Sequence, residues 1–209
     1  MSTEPAKHVI CQDFANLDER QLINKAKNDA QALSFLYRCH YAAVYGYVYR
    51  RIGNSHDTND VVAEVFVSMV RYLPRFRWTG APLKCWLLRL ANTQINRWIR
   101  KRRWASLWHS FNESLHCIPN QSSMFEDHLE QVRRALLELP IGFQTVLALH
   151  YFEDLSIGSI SQILNCRPGT VKSRLSRGRD LLRLKLSHQE EETFDEQRTI
   201  GKLSEKIEV

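Results

Sequence analysis

The sequence predicts an all-α protein made of two small helical domains joined by a flexible linker, the C-terminal one containing a helix-turn-helix. Apolar residues recur at helical spacing over most of the 209-residue chain. From residue 105 to residue 127 this periodicity fades, and polar loop-forming residues accumulate, as in CIPNQSSM. A chain of this length can form one large domain or two small ones, and the interruption favours two.

Composition narrows the function classes. The net charge of +6 and the pI of about 9.2 favour nucleic acid or an acidic surface as partner. No apolar run could cross a bilayer, and MSTEPAKHVICQDF lacks a signal-peptide layout, so we expect a cytoplasmic protein without membrane insertion. The 5 cysteines are widely spaced without a CxxC pair, and we expect them to be reduced. We find no metal-ligand spacing, phosphate loop or catalytic constellation, and therefore predict no metal, no cofactor, no small-molecule substrate and no enzymatic activity.

The first domain is predicted over residues 18–104, after a flexible N-terminus at 1–17. Asp18 and Gln21 have the spacing of a capping box at its first helix. A longer helix should end at Gly53, because glycine readily takes the left-handed conformation that closes helices. Asp57 is the predicted N-cap of the helix that follows.

This third helix carries a strong apolar stripe, and Asp60, Glu64 and Ser68 lie on a different face. Capping and solvation are the simpler interpretation of its two carboxylates. The predicted stripe consists of Val61, Val62, Val65, Phe66, Met69, Val70 and Leu73.

A loop rich in cations and aromatic residues, RFRWTGAP, precedes the last helix of this domain. It suits the capture of unstacked bases, and it equally suits a helix connection whose aromatic rings pack on the core. The last helix, from about Leu83 to Trp104, ends in RWIRKRR, and the 5 tryptophans of the chain all lie between Trp78 and Trp108. A basic face with interleaved aromatics is typical of surfaces that bind opened or single-stranded DNA, although a helix C-terminus also favours cations through its dipole.

The second domain is predicted over residues 128–187 and contains the helix-turn-helix. Ser156 is a good N-cap for its first helix, Asn165 breaks that helix, and Pro168 suits the first turn of the next. The second helix has an apolar stripe and a polar, basic N-terminal half, as expected of a helix that enters a major groove. An ordinary helical hairpin with a solvated basic face remains the alternative. Residues 188–209 form an acidic tail that we expect to be disordered.

Two separate stretches carry a family resemblance. GTVKSRLSRGRDLLR resembles the C-terminal DNA-binding domain of extracytoplasmic-function (ECF) sigma factors, which belong to the sigma-70 family of RNA polymerase subunits. DTNDVVAEVFVSMVRYLPRF, followed by WLLRLANTQINRWIRKRR, is similar to the N-terminal domain of the same family. The resemblance implies sigma region 2 at 18–104, a linker at 105–127 that enters the polymerase, and sigma region 4 at 128–187.

The resemblance also implies partners and site residues. Its partners would be core RNA polymerase, through the β′ and β subunits, promoter DNA and an anti-sigma factor. Polymerase-binding candidates are Asp60 and Glu64. Candidates for recognising and melting the −10 element are Arg77, Trp78, Trp86, Arg89, Asn92, Asn96 and Arg100. Candidates for reading the −35 element are Thr170, Lys172, Ser173, Arg174, Ser176 and Arg177.

Some positions depart from the family pattern. Asn96 replaces an aspartate that is frequent there, which removes a negative charge from the DNA-facing side. Gly178 replaces a usual alanine, at a cost of about 1 kcal/mol of helix stability. The alternative function is a stand-alone helix-turn-helix regulator with an N-terminal effector domain. A nucleic-acid enzyme would need clustered acidic metal ligands, which we do not find in the sequence.

Overall fold

The computed structural model describes Phe14, residues 17–109 and residues 124–207, with side chains described at 14, 17–102 and 131–187. All regular structure in these residues is helical, which confirms the predicted fold class. The remaining parts of the predicted N-terminus and linker, at 1–13, 15–16 and 110–123, lie outside the described residues. In the described part, no helix is long and apolar enough to cross a membrane.

Four helices build the N-terminal domain: α1 (Glu19–Ala26), α2 (Ala30–Ile52), α3 (Ser55–Tyr72) and α4 (Leu83–His109). A short 3₁₀ turn, Leu73–Arg75, follows α3. Helix α2 packs against α1, α3 and α4, and α3 also packs against α4. Leu36, Val65 and Leu87 are fully buried at the centre of these contacts, because each helix turns its apolar stripe inward.

The C-terminal domain comprises α5 (Met124–Glu138), α6 (Ile141–Leu147), a π-helical turn (Ala148–Phe152), α7 (Ile157–Leu164) and α8 (Pro168–Ile207). Helix α8 packs against α5, α6 and α7. Val171 and Leu175 of α8 are buried in this domain, together with Leu147 and Ile160. The two domains also touch each other, since α2 contacts α5 and the π turn, and α4 contacts α7.

Most predicted helix ends are confirmed. Asp18 and Gln21 form the reciprocal capping box, and Gly53 closes α2 with a φ of 90°. The prediction that Asp57 caps α3 is wrong. Asn54 is the N-cap, its side chain accepting a 2.8 Å hydrogen bond from the Asp57 N–H, and Asp57 lies within the first turn. Because α2 ends at Gly53, the next residue in an extended conformation is Asn54, and it takes the cap.

Two stripe assignments in α3 also differ from the sequence prediction. Val70 is 51% exposed, whereas the other members of the predicted stripe are buried. Ser68, expected on the outer face, is buried and accepts a 3.0 Å hydrogen bond from Nε2 of Gln94 on α4. Helix α4 covers the Ser68 side of α3 and leaves the Val70 side uncovered. The apolar periodicity alone does not show which of these two sides is covered.

The chain ends contain two further differences. Phe14, within the predicted flexible N-terminus, is buried, and its ring lies 5.6 Å from that of Phe35. Helix α8 continues through the acidic tail to Ile207, where the sequence predicts disorder. The tail contains no proline and is rich in glutamate and glutamine, which favour helix over other conformations.

Candidate nucleic-acid interface

A tight turn introduces the second helix of the helix-turn-helix. Asn165 adopts the left-handed conformation with a φ of 49°, and the N–H of Cys166 donates to the carbonyl of Ser161 at 3.0 Å. This hydrogen bond gives a partner to a carbonyl group in the last turn of α7, and the left-handed residue reverses the chain within a few residues. Pro168 then begins α8, where its missing N–H leaves no donor unpaired. The turn thus presents the start of α8 at the surface.

The N-terminal half of α8 has one polar, exposed side. Lys172, Ser173, Ser176 and Arg177 are exposed there. Ser173 Oγ donates to the carbonyl of Thr170 at 3.1 Å, which leaves the lone pairs of the hydroxyl available to an outside donor. The remaining −35 candidates, Thr170 and Arg174, are half-buried.

Gly178 allows α8 to approach α6 closely. A Cβ atom built at this position would lie 3.2 Å from Leu147 Cδ1 and 3.3 Å from Phe143 Cβ. Glycine is therefore not simply a helix-weakening residue here, because it makes room for the two apolar side chains that support the recognition helix.

The aromatic loop before α4 is anchored to the domain. The rings of Phe76 and Trp86 lie 4.7 Å apart, and Lys27 Nζ donates to the carbonyl of Phe76 at 3.0 Å. Trp78 is half-buried against the core, whereas Arg77 is exposed. The packing of the aromatic rings on the core agrees with the second interpretation of this loop. Part of Trp78 and the cation of Arg77 remain at the surface, and base capture stays a prediction.

Helix α4 carries the other −10 candidates. Arg89 and Arg100 are exposed, and Asn92 and Asn96 are half-buried. Asn92 Oδ1 is buried and has no hydrogen-bond partner among the described residues. A buried amide oxygen without a partner costs free energy, so this atom favours any arrangement that supplies a donor.

The polymerase-binding candidates lie together on the outer face of α3. The side chain of Asp60 is 72% exposed, and Glu64 is exposed one turn later. The same face continues with Val67 and Val70, each 51% exposed, beside Tyr37 of α2. These three apolar residues line a groove between α2 and α3. Sequence analysis missed this groove, although Val67 already stood outside the predicted stripe.

One cluster of potential metal-ligand atoms lies at the start of α3. Side-chain atoms of His56, Asp57 and Asp60 are all within 4.8 Å of one another. Asp57 also pairs with Arg102 of α4 at 3.6 Å. The Asp57 carboxylate is thus already paired with a cation of α4.

Charged residues that sequence analysis did not single out lie between the domains. Glu153, just after the π turn, is buried and pairs with Arg50 of α2 and Lys84 of α4. Arg51 is buried beside them, and burial lowers the pKa of its guanidinium. In the sequence, the only sign of Glu153 is that a charged residue follows an apolar helix, in the segment HYFED.

Known proteins resemble this chain over both domains. Residues 36–105 match Sigma-70 region 2, and residues 129–182 match Sigma-70, region 4. The ECF RNA polymerase sigma factor SigW of Bacillus subtilis is 29% identical over 173 residues, spanning 77% of this chain and 91% of the relative. The RNA polymerase sigma-H factor of Pseudomonas aeruginosa is 28% identical over 177 residues, 78% of this chain and 91% of that protein.

The fold also matches a solved structure. The sigma factor RpoE of Bartonella quintana, crystallised with the anti-sigma factor NepR, superposes with a TM-score of 0.62 at 23% identity, over 73% of this chain and 94% of that one. Two sigma-70 regions in order, on two helical domains, define a sigma-type protein. The chain belongs to the ECF group of the sigma-70 family. The N-terminal domain is thus a sigma region, which disfavours the alternative of a stand-alone regulator with an effector domain.

Proposed function

We propose that this chain is an ECF sigma factor that directs core RNA polymerase to promoters with two recognised elements and assists DNA melting. The exposed polar side of α8, at the start of a helix presented by a tight turn, is the observation that carries the DNA-binding part of the proposal. Its occurrence in the matched region 4, downstream of a matched region 2, supports promoter recognition over other forms of DNA binding.

Reading of the −35 element would fall to the N-terminal half of α8. Lys172 and Arg177 are exposed donors, and a guanidinium can bond the O6 and N7 atoms of guanine together. Ser173 and Ser176 offer hydroxyls that either donate or accept. Half-buried Thr170 and Arg174 flank this set, and we assign them to positioning on the phosphate backbone.

Melting of the −10 element would use the loop before α4 and α4 itself. Trp78 and Trp86 supply aromatic faces on which an unstacked base can lie. Asn92 and Asn96 are half-buried amides on α4, and an amide can both donate to and accept from base edges. Arg77, Arg89 and Arg100 are exposed cations that would attract phosphates.

Polymerase docking would use the outer face of α3. Asp60 and Glu64 place two carboxylates beside the apolar groove formed with Val67 and Val70. An apolar centre flanked by charges is the usual composition of a protein interface. We assign this face to the β′ subunit, and we expect the β subunit to contact the C-terminal domain.

The remaining partners follow from the same assignment. The superposed RpoE structure holds an anti-sigma factor, and we extend such a partner to this chain. We propose a cytoplasmic location, where polymerase and promoter DNA are found. The protein would act by binding alone, with no catalysis, cofactor or metal of its own.

Charge reversal on α3 tests the docking assignment. The double variant Asp60→Lys and Glu64→Lys should weaken binding to core polymerase at least roughly tenfold, because like charges across an interface repel. Binding is measured by titrating fluorescently labelled core enzyme without DNA. The matched control is Glu138→Lys with Asp180→Lys, which changes the net charge equally at exposed positions of the C-terminal domain. Because we expect that domain to contact the β subunit, both double variants are also titrated against isolated β′ subunit, and only the α3 variant should bind it more weakly. Equal affinity of both double variants for the core enzyme would refute this docking surface.

A further inference from the structure

Both ends of the aromatic loop before α4, residues 76–82, are hydrogen-bonded to α1 and the residue that ends it. At the start of the loop, Nζ of Lys27, the C-cap of α1, donates to the carbonyl of Phe76 at 3.0 Å. At the other end, Oε1 of Glu19, the first residue of α1, accepts a 2.8 Å hydrogen bond from the N–H of Leu83. Leu83 begins α4, so the two ends of one short helix bracket the loop. We call Glu19 and Lys27 the α1 clamp.

The carboxylate of Glu19 caps α4 from another helix. The first N–H groups of an α-helix have no partner within the helix, and that end carries a partial positive charge. A carboxylate that accepts from the first N–H therefore satisfies a donor and complements the dipole. Pro82, which precedes α4, has no side-chain oxygen that could do the same. Glu19 is half-buried, which limits competition from water for this hydrogen bond.

Between its two ends the loop has few attachments. Residues 77–81 make no hydrogen bond to any other described residue. Gly80 has a φ of 84°, and a Cβ atom built there would meet nothing within 4 Å. Trp78 packs partly on the core, and Arg77 is exposed. The placement of these two side chains therefore depends on where the ends of the loop are fixed.

Helix α1 is firmly attached to the domain, although it lies outside the matched region 2, residues 36–105. An isolated helix of 8 residues would be marginal in water, so its stability comes from packing. The Asp18–Gln21 capping box fixes its first turn, Leu22 and Ile23 are buried, and α1 packs against α2. A site that must be held precisely needs such a rigid support.

We propose that α1 positions the aromatic loop for strand capture: Glu19 and Lys27 fix its two ends, and this holds the Trp78 ring where an unstacked base can reach it. This inference rests on the proposed assignment of the loop to the −10 element. Both clamp residues are positioning residues, because they act through the backbone of the loop and not by contacting DNA. A preorganised loop loses less conformational entropy on binding, so the clamp should favour strand opening and leave the first contact with duplex DNA unchanged.

Removing each anchor in the polymerase holoenzyme tests the clamp. Glu19→Ala and Lys27→Met each delete one hydrogen bond to the loop. The probe is a promoter fragment that the wild-type holoenzyme selects from a random duplex library. We expect the yield of open complexes, read by permanganate reactivity of unpaired thymines, to fall about two- to tenfold, the range that one net hydrogen bond contributes to an equilibrium. Binding to the same fragment at a temperature too low for opening, read by gel mobility shift, should stay unchanged.

The matched control is Lys25→Met, which removes the same charge from α1. The Lys25 ammonium lies 4.7 Å from the centre of the Phe14 ring and 4.0 Å from Asp29, and it makes no hydrogen bond or ion pair with described residues of the loop. This control should change neither measurement. Glu19→Gln and Lys27→Arg keep an acceptor and a donor, and each should restore most of the opening. If Glu19→Ala loses helical circular dichroism, Lys27→Met carries the test.

A double variant separates positioning from a general loss of stability. If the clamp acts through the ring, Lys27→Met should cause no further loss of opening in a chain that already carries Trp78→Ala. Additive losses would overturn the proposal, as would unchanged opening in both single clamp variants. A salt slope reduced by about one unit in Lys27→Met would also overturn it, because Lys27 would then be a phosphate contact.

The Trp78→Ala variant alone distinguishes the two levels of the account. If it reduces opening and the clamp variants do not, this inference fails and the proposed function stands. If Trp78→Ala leaves opening unchanged, the assignment of the loop to the −10 element fails, and the role of the clamp fails with it.

Discussion

Arg177 and Arg179 are both exposed on α8, but they occupy different faces of the recognition helix. Arg177 lies one turn after Ser173, on the side assigned to base edges. Arg177→Ala should change the ranking of −35 sequences at one or two positions, since a bidentate arginine–guanine contact contributes roughly 1–3 kcal/mol of discrimination. The measurement is a titration of the polymerase holoenzyme, or of the full-length chain, against a set of −35 variants at several salt concentrations.

Arg179→Ala is the control for this experiment, because Arg179 is exposed on another face of α8 and we assign it, like Arg174, to a phosphate contact. A contact to phosphate carries no sequence information, so its loss should weaken all variants alike and reduce the salt slope by about one unit. If Arg177→Ala also lowers all affinities uniformly and preserves their order, then Arg177 is an electrostatic anchor and the assignment of base readers to this side of α8 is wrong.

Local chemistry made some residues predictable from the sequence and others not. The Asp18–Gln21 capping box and the closing Gly53 depend only on neighbours within one turn, and both predictions are confirmed. Asn54 and Asp57 are both good cap residues, and the choice between them depends on where α2 ends. The sequence shows which residues could form such a cap, but the residue at which the preceding helix ends determines which of them does.

A titratable residue of helix α2, His40, makes the stability of the folded state depend on pH. His40 is half-buried, and burial lowers the pKa of its imidazole below the ordinary value of 6.5, with a further contribution from the nearby positive charge of Lys84. The folded state therefore favours neutral His40. The unfolded chain binds the proton first on acidification, so this contribution to stability is present above pH 6.5 and is lost as pH falls from there towards the lower folded pKa.

His40→Gln should consequently flatten the pH dependence of stability. The measurement is the urea midpoint of unfolding at about pH 7.5 and about pH 5.5, where the wild-type midpoint should fall more on acidification than that of the variant. His56→Gln, at a histidine whose side chain is 87% exposed, is the matched control and should behave like wild type. An identical loss of midpoint in wild type and His40→Gln would show that His40 does not carry this dependence.

At the scale of elements, the apolar periodicity predicted where the helices form. It did not predict which side of a helix its neighbours cover. The stripe of α3 predicted the buried Val61, Val65 and Met69 correctly. It placed Val70 inside and Ser68 outside, because both lie at the edge of the stripe and only the position of α4 decides which edge is covered. The exposed apolar face of α3 could therefore not be told apart from the buried stripe in the sequence.

At the scale of the whole molecule, the contact between domains could not be predicted from the sequence. Arg50, Lys84 and Glu153 are far apart along the chain, and no periodicity or motif links them. Each alone has the appearance of a solvated charge at a helix end. Their meeting depends on how two independently patterned domains pack, which is decided by shape and charge across the boundary. The −35 and −10 candidates, in contrast, follow from family motifs within each domain.

The central claim is that this chain gives core polymerase promoter specificity through two separate regions. The most direct measurement is transcription of fragmented genomic DNA by purified core polymerase with and without the chain, with the 5′ ends of the transcripts mapped by sequencing. The account predicts start sites that occur only when the chain is present and that share two upstream motifs at a fixed separation, matching the two DNA-binding regions. Start sites indistinguishable from those of core polymerase alone would contradict it.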